Sequence, residues 1–179
     1  GKKMNTLLET QLKRAKNAAR LLKNMPTSTK NQALDKIANA LLEHSEEILE
    51  ANKKDMAHAR EVNMTSAMQD RLLFTHERIE GVSDGVKKVA TLPDPIGEVM
   101  ESWTRPNGLK ISKVRVPIGV FGIIYEARPN VTVDIASLCL KSGNACVLRG
   151  GKEAIHTNKK LVEIMKEATK DILPEGAIE

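Results

Sequence analysis

A chain of 179 residues in which 41% are hydrophobic and 28% are charged has the composition of a globular protein, which excludes a largely disordered chain. Only 2% of the residues are aromatic, so surfaces for stacking nucleic-acid bases are nearly absent and an RNA-binding helical protein is disfavoured. The formal net charge of +5 comes from interleaved basic and acidic residues, which is typical of a solvated surface and compatible with a phosphate-bearing small molecule.

The chain carries no recognisable targeting or membrane segment. No stretch reaches the roughly 20 apolar residues of a membrane span, and the first residues have no apolar region of a signal peptide. Residues 1–3 are interpreted as preceding a native start at Met4. Cys139 and Cys146 show no CxxC pattern and no histidine partners, which favours buried free thiols over a metal site. We therefore expect a cytoplasmic protein.

Helical periodicity dominates the first half of the chain. Apolar residues recur every three or four positions over 8–22, and Pro26 follows them, which predicts a first amphipathic helix. Thr27 and Ser28 are expected to cap a second helix. Its apolar pattern runs without a clear break over 34–58, so one long helix is predicted there.

Thr75 is expected to cap a third long helix, with apolar positions over 79–89 and an end before Pro93. After this helix the sequence pattern changes from helical periodicity to short β-prone runs. Residues 99–103 and 109–116 are short β-prone runs joined through Pro106-Asn107-Gly108, a strong turn signal. The sequence predicts a two-stranded β-ribbon.

The last third of the chain predicts a β-α-β-α unit. Residues 118–125 are almost continuously apolar, as in a strand buried on both faces of a parallel sheet. Asn130 can cap a helix that Gly143 ends, residues 145–148 form a second buried strand, and 154–172 form a second helix. Residues 174–179 then have the character of a loop that enters a third strand.

The loop after the second strand is the first candidate site. In a parallel β-α-β unit, ligands bind outside the carboxyl ends of the strands, where 125–128 and 149–152 are expected to meet. Arg149-Gly150-Gly151-Lys152 combines two glycines with two cations before a helix whose N-terminal amides favour anions, which indicates phosphate binding. A solvated turn is the alternative. No G-x-G-x-x-G fingerprint is present.

Three segments carry a resemblance to a known family. They are Val-Pro-Ile-Gly-Val at 116–120, Tyr-Glu-Ala-Arg-Pro-Asn at 125–130, and Ser-Gly-Asn-Ala-Cys-Val-Leu-Arg-Gly-Gly-Lys-Glu-Ala at 142–154. Together they resemble the γ-glutamyl phosphate reductases of the aldehyde dehydrogenase superfamily, and the resemblance extends from about Asn5 onward.

The resemblance implies an α/β, aldehyde dehydrogenase-like fold with a helical N-terminal layer, a β-ribbon and part of a parallel Rossmann-like sheet. It divides the chain into a helical part over 1–95, a ribbon over 96–117 and an incomplete NADP-binding portion over 118–179. The catalytic domain is then expected beyond Glu179.

The implied activity is the NADPH-dependent reduction of L-glutamyl 5-phosphate to glutamate 5-semialdehyde and phosphate through a cysteine thioester. The family further implies a homo-oligomer joined by the ribbon, and glutamate 5-kinase as a pathway partner. The nucleophilic cysteine is expected downstream, because Cys139 falls on the inner face of a helix and Cys146 within a buried strand. The four histidines show no triad or metal spacing, and we assign them no role.

By position, Arg149 matches the superfamily residue that contacts the adenosine ribose, and Lys152 is placed to neutralise a 2′-phosphate. Gly150 and Gly151 complete this cofactor loop. The resemblance thus implies a preference for NADPH over NADH.

Glu126 and Ala127 are expected on the nicotinamide side of the cofactor site. Here the sequence departs from the superfamily pattern, because Ala127 stands where an oxyanion-binding Asn is expected. Asn130 is then the candidate oxyanion donor and Arg128 the candidate contact for a substrate anion. The alternatives are that Asn130 caps its helix and that Arg128 pairs with a surface carboxylate.

A second reading of the whole chain is a non-catalytic module whose basic loops bind anions or an acidic partner. It differs from the enzyme reading in requiring neither a downstream cysteine domain nor selective binding of NADPH.

Overall fold

A computed structural model describes residues 2–96, 99–104, 110–114, 119–124 and 129–179. In these ranges the chain forms α1 (Lys2–Leu22), α2 (Thr27–Glu43), α3 (Ser45–Glu61), α4 (Ser66–Leu72), α5 (His76–Thr91), β1 (Val99–Thr104), β2 (Lys110–Val114), β3 (Val120–Ile124), α6 (Pro129–Lys141), β4 (Ala145–Arg149) and α7 (Ile155–Thr169), with a 3-10 turn at Lys152–Ala154. None of the helices in the described part is long and apolar enough to cross a membrane.

The single helix predicted over 34–58 is wrong. The backbone leaves helical geometry at His44 (φ −103°, ψ 22°), which ends α2 and starts α3. The break changes the direction of the chain, so that α2 and α3 both pack against α7. Caps at Thr27 and Ser28 are also wrong, because Pro26 precedes the first turn and no side chain caps it.

The third predicted helix is confirmed as α5, and the Thr75 side chain caps it by accepting a hydrogen bond from the amide of Arg78 at 3.1 Å. The short helix α4 was not predicted. Leu72 is its one buried residue, so its sequence carries no apolar stripe. The Thr65 side chain nevertheless caps it by accepting from the amide of Met68.

The predicted ribbon is confirmed in its two strands. β1 and β2 pair antiparallel, with Trp103 opposite Ile111 and an irregularity between Val99 and Glu101. The predicted turn at 106–108 lies outside the described residues.

β3 and β4 pair in parallel with Val120 opposite Ala145, as the β-α-β prediction requires. Burial of β3 on both faces is wrong, because Val120 is only partly buried and Gly122 is exposed. In the described part, β3 is also an edge strand, since it pairs with β4 alone. Along the other side of β4, Ile178 forms a parallel bridge with Cys146, so the chain does enter a third strand position at its last residues.

Helix α6 connects the two strands. Gly143 ends it as predicted, with φ +73° and paired hydrogen bonds from Gly143 to Leu140 and from Asn144 to Cys139. Asn130 does not cap this helix. Because α6 already begins at Pro129, Asn130 belongs to its first turn.

The core is formed by helices α1, α2 and α5 to α7 together with β4, and it is almost entirely aliphatic. One charged cluster interrupts it. Lys30 is only 1% exposed, and its ammonium lies 2.6 Å from the Asp94 carboxylate and 3.0 Å from the carbonyl oxygen of Lys141. This cluster fixes the segment after α5, which leads into the ribbon.

Candidate functional site

A cavity of about 390 Å³ opens where β4 ends. We call it the loop cavity. Arg149, Gly150 and Gly151 line it on one side, and the first turns of α7 line it on the other. Gln11 from α1 and Glu179 from the end of the chain complete its wall. The place is the one that a parallel β-α-β unit predicts for a ligand.

Three of the four predicted loop residues therefore line one cavity. The fourth, Lys152, is exposed at the start of the 3-10 turn and directly follows Gly151 in the sequence. Glu126, Ala127 and Arg128 lie outside the described residues.

The N-terminal amides of α7 are already occupied. The Asp55 carboxylate, from α3, accepts hydrogen bonds from the amides of His156 at 3.1 Å and Thr157 at 2.7 Å. It also accepts from the Thr157 hydroxyl at 2.6 Å. A ligand phosphate cannot use these amides, so the part of the hypothesis that relied on the helix terminus is wrong. Positive charge for an anion in the loop cavity comes from Arg149, Lys159 and Lys166, which line it, and from Lys152, which directly follows the glycines of the loop.

A second polar residue of α3 holds this junction together. The Asn52 side chain donates to the carbonyl oxygen of Leu72 at 2.9 Å and to the Thr157 hydroxyl at 3.1 Å, and it accepts from the amide of Phe74 at 2.9 Å. Both Asn52 and Asp55 are buried. They lie three positions apart on one helix face among apolar residues, a signal the sequence did carry.

One donor in the wall of the loop cavity has no partner. Asn158, on α7, is 8% exposed, and its side-chain oxygen accepts from the Thr132 hydroxyl at 2.8 Å. Its Nδ2 is buried and has no hydrogen-bond partner among the described residues. Buried amide nitrogens are seldom left unpaired, and this donor would reach a ligand oxygen only if the Asn158 side chain turned toward the cavity. Sequence patterns gave no sign of it.

Glu179 brings a buried carboxylate to the same cavity. It is 3% exposed and lies 3.0 Å from Nε of Arg14 and 3.3 Å from Nζ of Lys166. The Arg14 Nε–H makes no hydrogen bond to this oxygen, but Nη2 of Arg14 donates to the other carboxylate oxygen of Glu179 at 3.4 Å. The two cations balance the charge of Glu179, and the cavity keeps Arg149 as an exposed positive group.

Asn130 lies in the wall of another cavity, also of about 390 Å³, between α4, α5 and α6. We call it the helix cavity. Its polar lining residues are Asp70, Arg71, Arg78, Asn130 and Asp134. The structure therefore does not bring Asn130 into the same cavity as Arg149.

Neither cysteine is placed as a nucleophile. Cys139 and Cys146 are both buried free thiols, as predicted. A hydrogen bond with Cys139, reinforced by burial, raises the pKa of the Cys146 thiol far above its ordinary range. Among the described residues, no group of three or more His, Cys, Asp or Glu side chains is arranged to hold a metal ion.

Comparison with known proteins agrees with this geometry. Residues 4–179 match the aldehyde dehydrogenase family. The chain therefore belongs to the aldehyde dehydrogenase family.

Within that family, the chain is similar to γ-glutamyl phosphate reductases. It is 54% identical over 177 residues to the one from Geobacillus sp. (strain WCH70), covering 98% of this chain and 43% of that protein. It is 57% identical over 165 residues to the one from Clostridium novyi (strain NT), covering 92% and 40%.

The crystal structure of the γ-glutamyl phosphate reductase from Thermotoga maritima superposes with a TM-score of 0.94 at 46% identity, covering 96% of this chain and 42% of that one. The resemblance and the aldehyde dehydrogenase-like fold expected from the sequence are thus confirmed. The chain spans about two-fifths of the length of these relatives.

Proposed function

We propose that this chain is the cofactor-binding part of an NADPH-dependent enzyme that reduces L-glutamyl 5-phosphate to glutamate 5-semialdehyde and phosphate. The observation that carries the proposal is the loop cavity, in which Arg149 and two glycines follow a parallel strand at the place where this fold binds ligands. The high identity to γ-glutamyl phosphate reductases over nearly the whole chain supports the substrate.

The residues of the loop cavity fit a dinucleotide. NADPH supplies a hydride to the acyl carbon when it is bound. Arg149 and Lys152 provide positive charge for the 2′-phosphate, and Gly150 and Gly151 let the ligand approach the backbone closely. Asn158 lines the same cavity, and its unpaired Nδ2 would donate to a ribose or phosphate oxygen once the side chain turned toward the ligand.

Several features of the whole enzyme belong to this proposal. The nucleophilic cysteine that forms the thioester lies in the part of the enzyme beyond Glu179. Glu126 and Ala127 border the nicotinamide, while Arg128 and Asn130 contact the substrate. The enzyme acts in the cytoplasm as a homo-oligomer joined through β1 and β2, with glutamate 5-kinase as its pathway partner.

Calorimetric titration of the chain with NADPH, beside NADH, tests the cofactor assignment. We expect selective binding of NADPH. Lys152→Ala and Arg149→Ala should each weaken NADPH binding by about tenfold, the effect of losing one charge-assisted contact. Lys152→Ala should leave NADH binding unchanged. Lys53→Ala, an exposed lysine on α3, is the matched control and should change neither affinity.

A chimera tests the reaction itself. This chain would replace the matching segment of the Thermotoga maritima reductase, to which it superposes closely. We expect NADP-dependent oxidation of glutamate 5-semialdehyde in the presence of phosphate, the reverse reaction, and its loss with Arg149→Ala. A folded chimera that binds neither cofactor would instead favour the non-catalytic binding module.

A further inference from the structure

The helix cavity contains a carboxylate that has no partner. Asp134, on α6, makes no hydrogen bond or ion pair with any residue in the described part of the chain. It lines the cavity one helical turn beyond Asn130. Partial burial raises the pKa of Asp134 above its ordinary value. Asp134 remains exposed to solvent, and an unpaired carboxylate with a perturbed pKa in a cavity is a candidate for ligand binding.

The same cavity contains a cation that, like Asp134, has no partner among the described residues. Arg71, at the end of α4, is exposed and has no hydrogen-bonding or ionic partner among the described residues. The second guanidinium, of Arg78, is already committed. It donates to the Asp70 carboxylate and to the carbonyl oxygen of Leu73, each at 2.8 Å. Arg78 and Asp70 are therefore paired with each other, while Arg71 and Asp134 have no partner among the described residues.

The two unpaired charged groups of the helix cavity are complementary to the two charges of a zwitterion. Arg71 and Arg78 carry two positive charges and Asp70 and Asp134 two negative ones, so the lining is neutral overall but has one free group of each sign. An ammonium would compensate Asp134, and a carboxylate would form a bidentate pair with Arg71. A simple anion or a simple cation would satisfy only one of the two groups.

We propose that the helix cavity binds the α-amino acid end of the substrate, with Arg71 receiving its carboxylate and Asp134 its ammonium. This inference rests on the proposed function, because it names the site for the glutamyl group. Asn130 lines this cavity and belongs to the first turn of α6, the helix that follows β3 in the chain. Asp134 lies about 5–6 Å farther along α6, a distance comparable with an extended glutamyl side chain.

Calorimetric titration of the chain with L-glutamate tests the site, with two probes that each lack one group. Glutarate has no ammonium, and 4-aminobutyrate has no α-carboxylate. We expect both probes to bind about tenfold more weakly than L-glutamate, the effect of one lost charged hydrogen bond. Asp134→Asn should weaken L-glutamate binding by a similar factor but leave glutarate unchanged. Arg71→Gln should weaken L-glutamate and glutarate and leave 4-aminobutyrate unchanged.

Asp35→Asn, an exposed aspartate on α2, is the control and should change no affinity. Equal affinities for L-glutamate and glutarate, or no effect of Asp134→Asn, would overturn the assignment. The NADPH titration separates the two proposals. Selective NADPH binding by a folded chain that does not bind L-glutamate removes this inference and leaves the cofactor assignment in place. The reverse result keeps an amino-acid site and removes the proposed reaction.

Discussion

The carboxylate of Asp55 accepts two hydrogen bonds from Thr157, one from the backbone amide at 2.7 Å and one from the hydroxyl at 2.6 Å. The residues are 102 positions apart in the chain. Through this contact α3 fixes the start of α7, and therefore the loop that precedes it. The helical N-terminal part of the chain thus positions the loop at 149–152, and α1 also contributes Gln11 to the wall of the loop cavity.

Asp55→Ala should lower the free energy of unfolding by about 1–3 kcal/mol, because it leaves buried donors of His156 and Thr157 unpaired. Asp35→Ala, which removes an exposed carboxylate from α2, should change it by less than about 0.5 kcal/mol. Urea denaturation followed by circular dichroism measures both. Equal urea midpoints for Asp55→Ala and Asp35→Ala would show that the hydrogen bonds of Asp55 to the start of α7 contribute nothing to stability.

The fold was largely predictable where a single element carries its own signal. The apolar stripe of α5, its Thr75 cap and the glycine after α6 depend on residues close together in sequence. The break at His44 was not predictable, because α2 and α3 each continue the same helical period and only packing against α7 separates them. Helix α4 was not predictable because most of its residues are exposed, so no apolar pattern marks it in the sequence.

The candidate site was also predictable only where its residues are close together in sequence. The order of strand, glycine loop and helix is local, and it led directly to Arg149, Gly150 and Gly151. Occupation of the α7 amides by Asp55 and the unpaired nitrogen of Asn158 depend on contacts between distant segments. No pattern within either segment contains that information.

Asp94 should make stability depend on pH in the acid range. Burial alone would raise the pKa of Asp94, but hydrogen bonds from Lys30, Thr27 and the amide of Ile96 outweigh it, so the pKa is lowered from its ordinary 3.8. The folded state then holds its proton less tightly than the unfolded chain. The stabilisation is complete above the ordinary pKa and is lost as the pH falls through the lower pKa of the folded state.

Asp94→Asn should cost roughly 3 kcal/mol near neutral pH, the lower end for a broken buried ion pair, because it leaves Lys30 without its carboxylate. The difference from the parent chain should shrink once the pH falls below 4, as measured by urea denaturation across pH. Glu167→Gln breaks an exposed pair with Lys170 and should change stability little at any pH. A pH-independent effect of Asp94→Asn would contradict the lowered pKa.

Two glycine substitutions should act in opposite directions. Gly176 has φ +94°, and an added Cβ would collide with the backbone carbonyl of Arg14. Gly176→Ala should therefore destabilise by about 2 kcal/mol or more. Gly81 lies on the exposed face of α5 with open space around it, so Gly81→Ala should stabilise by about 0.5–1 kcal/mol. If Gly176→Ala left the thermal unfolding temperature unchanged or raised it, the close approach of Gly176 to α1 would be wrong.

The two cysteines should be unreactive in the folded chain. Cys139 and Cys146 are 7% and 1% exposed, so a reagent has little access to either thiol. The raised pKa of Cys146 also keeps that thiol protonated. A thiol-specific disulfide reagent should modify them at least about 100-fold more slowly in the native chain than in urea, since modification requires local opening. Ala57→Cys, at an exposed position of α3, supplies the matched control and should add one rapidly reacting thiol. Rapid modification of Cys139 or Cys146 in the native chain would instead make that residue a candidate nucleophile, and would contradict our placement of the nucleophile beyond Glu179.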